Sequence, residues 1–318
     1  MLASEETVKF LYELDESIAT RLIENETPER LPEIMEQASS NEQVFLMGLV
    51  SDQFATSVID LLQAEEQEEL EEMMAYPEDS AGILMYTDVF TLHEETKARE
   101  AIYALQDQED AEMVFYLYIT DDDDRLVGVI SLRTLTTTPS STTLKDIMIK
   151  NVHSIRPETD QEDVARIVAQ YNFLAVPVLD SDSKLLGIVT VDDVVDVIRE
   201  EATEDFLKMA GAGEDREILL KSSWENAKAR IPWLFASWVG GVLAATIIGY
   251  FEHMLTNIIA LAAFILLIIE MGGNIGTQSS TITVGGIATG RIELGNELKI
   301  LIKEVQVGII LGLLYLSL

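Results

Sequence analysis

Cysteine is absent from this 318-residue chain, which removes disulfides and thiolate metal sites and fits a reducing compartment. Histidine is nearly absent: His93, His153 and His253 are scattered, without HExxH spacing, and read as ordinary surface residues. Bases are scarce too, 21 against 56 acids, for a formal net charge of −35. So acidic a chain repels nucleic acid and anionic lipid and attracts cations. The sequence holds no glycine-rich phosphate loop before a helix, no nucleophile elbow and no basic aromatic surface, so enzyme chemistry has no constellation to stand on. The start, MLASEETVKF, has neither a basic n-region nor an apolar h-region, and no signal peptide is expected.

The charge is unevenly placed. Residues 231–318 carry three bases and five acids, a net of −2, which leaves −33 for the first 230 residues. The back of the chain is apolar. IPWLFASWVGGVLAATIIGYF (231–251) is an uncharged run of about the ~20 residues a spanning helix needs. Further runs at about 254–271 and 300–318 predict a second and a third span. Lys221, Lys228 and Arg230 precede the first span, and Arg291, Lys299 and Lys303 separate the other two. Bases held inside place residues 1–230 in the cytoplasm and the Glu252–His253 turn outside, in a multi-pass plasma-membrane protein. Trp224, Trp233 and Trp238 flank or enter the first span, as interfacial anchors do.

Residues 1–76 show helical apolar spacing throughout, up to the break at Pro77. An internal repeat follows. DVFTLHEETKAREAI (88–102) parallels NVHSIRPETDQEDVA (151–165), and LYITDDDDRLVGVISLRTL (117–135) parallels VPVLDSDSKLLGIVTVDDV (176–194). Each copy reads strand, helix, strand, acidic turn, strand, helix. The doubled unit resembles a tandem pair of CBS domains, over about 77–145 and 146–205.

The second copy ends in VDDVVDVIREEATEDF (191–206), where seven acids face Arg199 alone. Helical spacing predicts an apolar face of Val191, Val195, Ile198 and Ala202. Asp192, Asp196, Glu200 and Glu204 then succeed one another at i, i+4, each like-charged pair costing roughly 0.2–0.5 kcal/mol. A solvated acidic face is one reading. The other is a sensor: hard dications take oxygen ligands, and Mg²⁺ is often held through one or two carboxylates. Clustered acids on facing surfaces would then close around the ion and splay apart without it.

At the end of the second apolar run stands EMGGNIGTQSS (270–280). Gly272, Gly273 and Gly276 each weaken a helix by ~1 kcal/mol relative to Ala. Non-helical backbone within a membrane survives only in a protein-lined or wet setting. Glycine carbonyls beside the Asn274 and Gln278 amides would form a neutral throat for a hydrated cation, with Glu270 as an intramembrane acid beside it. Gly272-x-x-x-Gly276 is also a helix-packing pattern.

YPEDSAGILM (76–85), TDQEDVARIVAQY (159–171), VTVDDVVDVIREEATED (189–205), KARIPWL (228–234), FEHML (251–255) and MGGNIGTQ (271–278), in this order, closely resemble the MgtE family of Mg²⁺ channels and transporters. The resemblance implies a multidomain membrane protein: an all-α N-domain, an α/β CBS pair, a linker and connecting helix over 206–230, and a helical transmembrane bundle. It implies a homodimer and Mg²⁺ influx, shut off when intracellular Mg²⁺ fills acidic N-domain and CBS interfaces and the connecting helix plugs the pore. The regulatory ligands carried over are Asp160 and Glu162, the carbonyl of Ala169, and Asp193, Asp196, Glu201, Glu204 and Asp205, with Asp52 in the N-domain as their docking partner. The CBS pair of this family also implies a site for ATP, with Tyr116, Arg133 and Phe173 at the stacking and phosphate positions.

Four positions depart from the family pattern. Asn172 stands where Asp is frequent, Thr134 where an acid meets the ribose, Leu266 where a proline precedes GGN, and Val284-Gly285-Gly286 where an arginine follows it. The family has five membrane helices, with a pore acid on the last, and this chain stops within its third. Alone it is expected to sense Mg²⁺ without conducting it. The rival expectation is a membrane-anchored CBS sensor of nucleotide or ion that regulates a separate partner.

Overall fold

A computed structural model describes residues 4–12, 14, 16–106, 116–211, 222–253, 259–288, 292 and 297–316. The chain forms two compact units, Met1–Ile198 and Arg199–Leu318.

The first unit opens with short helices: α1 (Ser4–Tyr12), α2 (Glu16–Glu24), a 3₁₀ turn (Pro28–Arg30), α3 (Leu31–Met35), α4 (Ser40–Gly48), α5 (Asp52–Ile59) and α6 (Ala64–Met74). Local chemistry sets their starts. Ser39 and Glu42 form a capping box at α4, the Ser39 N–H donating to Glu42 Oε2 at 2.8 Å. Proline stands in the first turn of α3, where its missing N–H costs nothing.

A one-turn helix α7 (Ala81–Leu84) leads into the repeat: β1 (Thr91–His93), α8 (Ala98–Gln106), β2 (Tyr116–Thr120), β3 (Leu126–Ser131), α9 (Leu132–Thr137) and α10 (Leu144–Ile147). The second copy supplies α11 (Gln161–Tyr171), β4 (Ala175–Leu179), β5 (Leu185–Thr190) and α12 (Val191–Met209). β1 runs parallel to β2, and β2 antiparallel to β3. In the second copy β4 and β5 pair antiparallel, and the expected first strand is reduced to one parallel bridge, Ile155 to Val178.

The two copies exchange edges. The lead-in to the first copy pairs with the last strand of the second, Tyr86 with Ile188, at 2.8 and 2.9 Å. Reciprocally, Ile149 pairs with Val129, at 2.9 and 3.1 Å. The acidic turns repeat as well. Asp121 accepts the N–H groups of Asp123 and Arg125, and Asp180 those of Asp182 and Lys184. Asp124 and Ser183, at matching places, take positive φ of 60° and 68°. These backbone N–H groups hold the Asp121 carboxyl below the usual carboxylate range.

Burial departs from the repeat. Leu117, Ile119, Ile130 and Leu135 form a core private to the first copy. The second copy instead shares one core with the N-domain, in which Met35, Val44, Met47 and Met73 join Val164, Val176, Val189, Val194 and Val197.

The helix α12 corrects one expectation. Its buried residues are Asp193, Val194 and Val197, whereas Val195 and Ile198 are 42% and 46% exposed. The 3.6-residue spacing fits two apolar stripes, and the N-domain core takes the one that the sequence pattern left unmarked.

In the second unit α13 (Ser223–Tyr250) is one helix across the junction expected at 230, with Pro232 inside it. Ser222 caps it, its N–H donating to Glu225 Oε2 at 2.9 Å. At 28 residues, about 42 Å by helical rise, α13 is long and apolar enough to cross a membrane, and it is the one such helix found among the described residues. Two further helices follow, α14 (Ile259–Ala288) and α15 (Glu297–Leu316). Their large apolar side chains face outward, Leu266 and Leu298 being 74% and 70% exposed. Residues 254–258 of the expected second span, 317–318 of the third and 212–221 of the connecting helix lie outside the described residues.

Gly128 and Gly187, equivalent in the repeat, face different neighbours. An ideal Cβ on Gly187 would lie 2.5 Å from the Tyr86 backbone oxygen; one on Gly128 would meet the flexible Met148 side chain at 2.7 Å. Gly187→Ala should cost about 1–3 kcal/mol and Gly128→Ala clearly less. Urea unfolding of the two variants checks the order.

Candidate regulatory cation sites and the Asp193 joint

The ligands expected in TDQED sit at the start of α11. Asp160 caps the helix, its Oδ1 accepting the Glu162 N–H at 2.9 Å. Glu162 is half-buried and lies 3.8 Å from Arg166, one turn on. The same corner receives YPEDSAG. Ala81 and Gly82 donate their N–H groups to the carbonyls of Thr159 and Pro157, and Gln161 donates to that of Asp79, at 2.8–2.9 Å. Two stretches that carry the family resemblance are thus a clasp between the lead-in to the first CBS copy and the second copy.

Ala169 lies in the last turn of α11, where helix carbonyls run out of intrahelical donors. Asn172 ends that helix in the left-handed conformation, φ 55° and ψ 44°. Asn tolerates this region better than most residues, which gives the departure at this position a local structural reason. Asp52 stands in the first turn of α5, exposed, where an acid suits the helix dipole.

Along α12 the acids divide. Asp196 is exposed, and Glu201, Glu204 and Asp205 are half-exposed. Lys208, just beyond the stretch that looked unopposed, pairs with Glu204 at i, i+4. Among the described residues no three His or acidic side chains are gathered as a metal site within the chain.

Asp193 has a different setting from the open acidic face expected of it. Only 7% of it is exposed. Its Oδ1 accepts Asn41 Nδ2 at 3.1 Å and the Tyr86 hydroxyl at 3.4 Å, and its Oδ2 accepts the Thr190 hydroxyl. Burial pushes its carboxyl up to about 6, against the lowering effect of the Thr190 contacts. Tyr86 is raised as well, first by burial and then by the Asp193 charge.

Asn41, Tyr86 and Thr190 escaped the sequence reading. One signal was present: Thr190-Val-Asp-Asp193 has the S/T-x-x-D/E form of a helix-capping box, directly before α12. The first copy has Ser131 and Thr134 at the matching positions, the Thr134 N–H donating to Ser131 Oγ at 3.2 Å. Nothing in the sequence pattern ties Asn41 to a residue 152 positions away.

The nucleotide candidates are spread over the CBS pair. Tyr116 begins β2, beside Tyr118 in the small core between the two copies. Arg133 is exposed in the first turn of α9. Phe173 stacks on Tyr171 at 5.3 Å between ring centroids, with His153 4.4 Å from Tyr171.

The pore candidates need a second correction. The helix α14 runs unbroken through Gly272, Gly273 and Gly276, so their carbonyls belong to the helix rather than to an opened throat. Thr277 donates back to the Gly273 carbonyl at 3.0 Å. The i, i+4 spacing instead lines Glu270, Asn274 and Gln278 along one exposed stripe. A Cβ on any of these three glycines would meet nothing within 4 Å.

Comparison with known proteins decides the family. The match to an MgtE intracellular N domain covers residues 1–79, CBS domain matches cover 81–139 and 144–200, and a divalent cation transporter match covers 265–318. A crystal structure of the cytosolic domain of the Mg²⁺ channel MgtE in complex with ATP is 35% identical, with a TM-score of 0.59 over 62% of this chain and 81% of that one. The chain belongs to the MgtE family. The soluble part of a magnesium transporter is 33% identical, with a TM-score of 0.53 over 63% of this chain and 89% of that one. The magnesium transporters MgtE of Enterococcus faecalis and Thermus thermophilus are 38% and 37% identical, over 78% and 80% of this chain. The MgtE match covers 55% and 57% of those two proteins, so the chain spans a little over half their length. The N-domain and CBS pair thus have the fold of MgtE cytosolic domains, in a family of membrane transporters rather than enzymes.

The Asp193 setting fixes two outcomes. Asp193→Ala leaves three donors facing a void and should cost about 2–4 kcal/mol. The raised carboxyl binds its proton more tightly folded than unfolded, so this group's contribution to stability falls as pH rises from about 4 to about 6. Asp193→Asn lacks that loss. Its stability relative to the parent should improve by about 2 kcal/mol between pH 4.5 and pH 7, read by urea unfolding.

Proposed function

We propose that this chain serves Mg²⁺ influx across the plasma membrane and is gated closed by intracellular Mg²⁺ bound among the cytoplasmic acids. The observation that carries the reading is α12: a helix rooted in the CBS core, acidic on its outer side, and continuing past Ile198 into the unit that holds the membrane helices. The named relatives are magnesium transporters, which supports the ion. In the reading, three spans follow, on α13, α14 and α15, and the stripe of Glu270, Asn274 and Gln278 borders the ion path.

The regulatory ligands are Asp160, Glu162, the Ala169 carbonyl, Asp193, Asp196, Glu201, Glu204 and Asp205, with Asp52 of the N-domain as their docking partner, completed across a homodimer. The exposed stripe of Val195, Ile198 and Phe206 supports that dimer, because it gives a second copy an apolar face to cover. Packing two such helices brings like charges together, and a dication relieves the repulsion. Movement of the α12 end then reaches the first span. Gly211 closes the helix at φ +66°, and Trp233 lies so close that a Cβ there would stand 2.5 Å from its indole. ATP in the CBS pair is a further element of the reading, supported by the ATP complex of the related cytosolic domain. It would use Tyr116, Arg133 and Phe173, with Thr134 leaving the ribose without a carboxylate.

Limited proteolysis of the chain across a Mg²⁺ titration tests the proposal. Cleavage after Asp205 should slow several-fold at millimolar Mg²⁺, and the variant Asp196→Asn/Glu201→Gln/Glu204→Gln should lose that response. Equal cleavage at every Mg²⁺ concentration in the parent chain would remove the sensor.

A further inference from the structure

We infer that Lys228 and Arg230 of α13 form a binding surface for the headgroups of anionic membrane lipids. The inference rests on the reading of α13 as a membrane span and is independent of Mg²⁺ gating.

Pairing is the first observation. Bases are outnumbered 21 to 56, and several in the first unit are taken up: Arg30, Arg125, Lys145 and Arg166 each meet a carboxylate. Lys228 and Arg230 are exposed, and neither has an ion pair or a side-chain hydrogen bond among the described residues. Lys299 and Lys303, near the start of α15, are exposed and unpaired in the same way.

Depth is the second. Residues 231–250 carry no charge and lie wholly within α13. At helical rise they cover about 30 Å, the thickness of the hydrocarbon layer, so Arg230 stands level with the lipid phosphates. Trp224, Trp233 and Trp238 are exposed around the same end, and indoles favour the headgroup region.

Direction is the third. Two residues apart on a helix are about 200° apart around its axis, so Lys228 and Arg230 project to nearly opposite sides at almost one depth. A partner protein covers one face of a helix, whereas lipid surrounds it. The net charge of −35 repels anionic lipid, so a preference for that lipid has to arise locally. Each base at such a surface contributes about fivefold.

The chain supplies its own probe. All three tryptophans lie on α13, so their fluorescence reports the lipid beside that helix. The full chain is reconstituted in vesicles of equal parts phosphatidylglycerol and phosphatidylcholine, with brominated acyl chains on one lipid or the other. EDTA keeps dications from bridging the chain's acids to lipid. Both leaflets carry the quencher, so the result does not depend on which way the chain inserts.

The expected result is a preference for phosphatidylglycerol of about fivefold or more in the parent. It should fall close to one in Lys228→Gln/Arg230→Gln and persist in Lys228→Arg/Arg230→Lys, which keeps the charge. Equal quenching by the two lipids in the parent would overturn the inference and leave the span standing. So would a preference that survives in the glutamine variant, the result expected if acids of a second copy are the true partners of these bases. Quenching by neither lipid would take α13 out of the bilayer and remove the span reading with it.

Discussion

A carboxylate removed from water must find hydrogen-bond donors or give up its charge, and the first unit holds one that has found them. Asp193 is the third residue of α12, where Thr190 donates its hydroxyl to it, Asn41 reaches it from the N-domain and Tyr86 from the segment between. These contacts fix how α12 leaves the CBS pair. Val194 and Val197 turn into the common core, and Val195, Ile198 and the distal acids are left outward. One helix thereby carries two kinds of acid: a buried one bonded to Asn41, Tyr86 and Thr190, and outer ones that stay exposed or half-exposed.

The repeat makes the asymmetry intelligible. The two copies exchange edges reciprocally and build the same turns, down to matching positive φ values. They differ where something outside the pair must attach. The first copy keeps a private core, and the second gives its apolar face to the N-domain. Thr134 and Asp193 occupy one repeat position and differ in charge, burial and partner. Near-symmetry supplies the common frame, and its local breach marks the copy against which the N-domain packs. The matches follow the same order along the chain, the MgtE intracellular N domain over 1–79, the CBS pair over 81–200 and the divalent cation transporter family over 265–318.

Much of this was legible in the residues. Helical spacing up to Pro77, the doubled unit and its acidic turns, and the apolar run at 231–251 all correspond to observed elements, since each depends on local pattern and turn chemistry. The failures have physical causes. Both faces of α12 are apolar at helical spacing, so periodicity could not choose between them. The glycines of GGNIGTQ weaken a helix without forbidding one, and α14 continues through them. Asp193 looked like one acid among seven because its partner lies far away in sequence. Asn172, noted only as a departure from the family pattern, ends α11 in a left-handed conformation that the sequence pattern did not reveal.

The central claim is that α12 is held at its root by hydrogen bonds and governed along its outer length by a cation. Amide hydrogen exchange along α12 in the full chain, with and without millimolar Mg²⁺, measures this directly. The account predicts that amides from Val194 to Ile198 are equally protected in both conditions, while those from Arg199 to Met209 slow markedly only with the ion. A root that loosens together with the outer half when Mg²⁺ is removed, or an outer half indifferent to the ion, would contradict it.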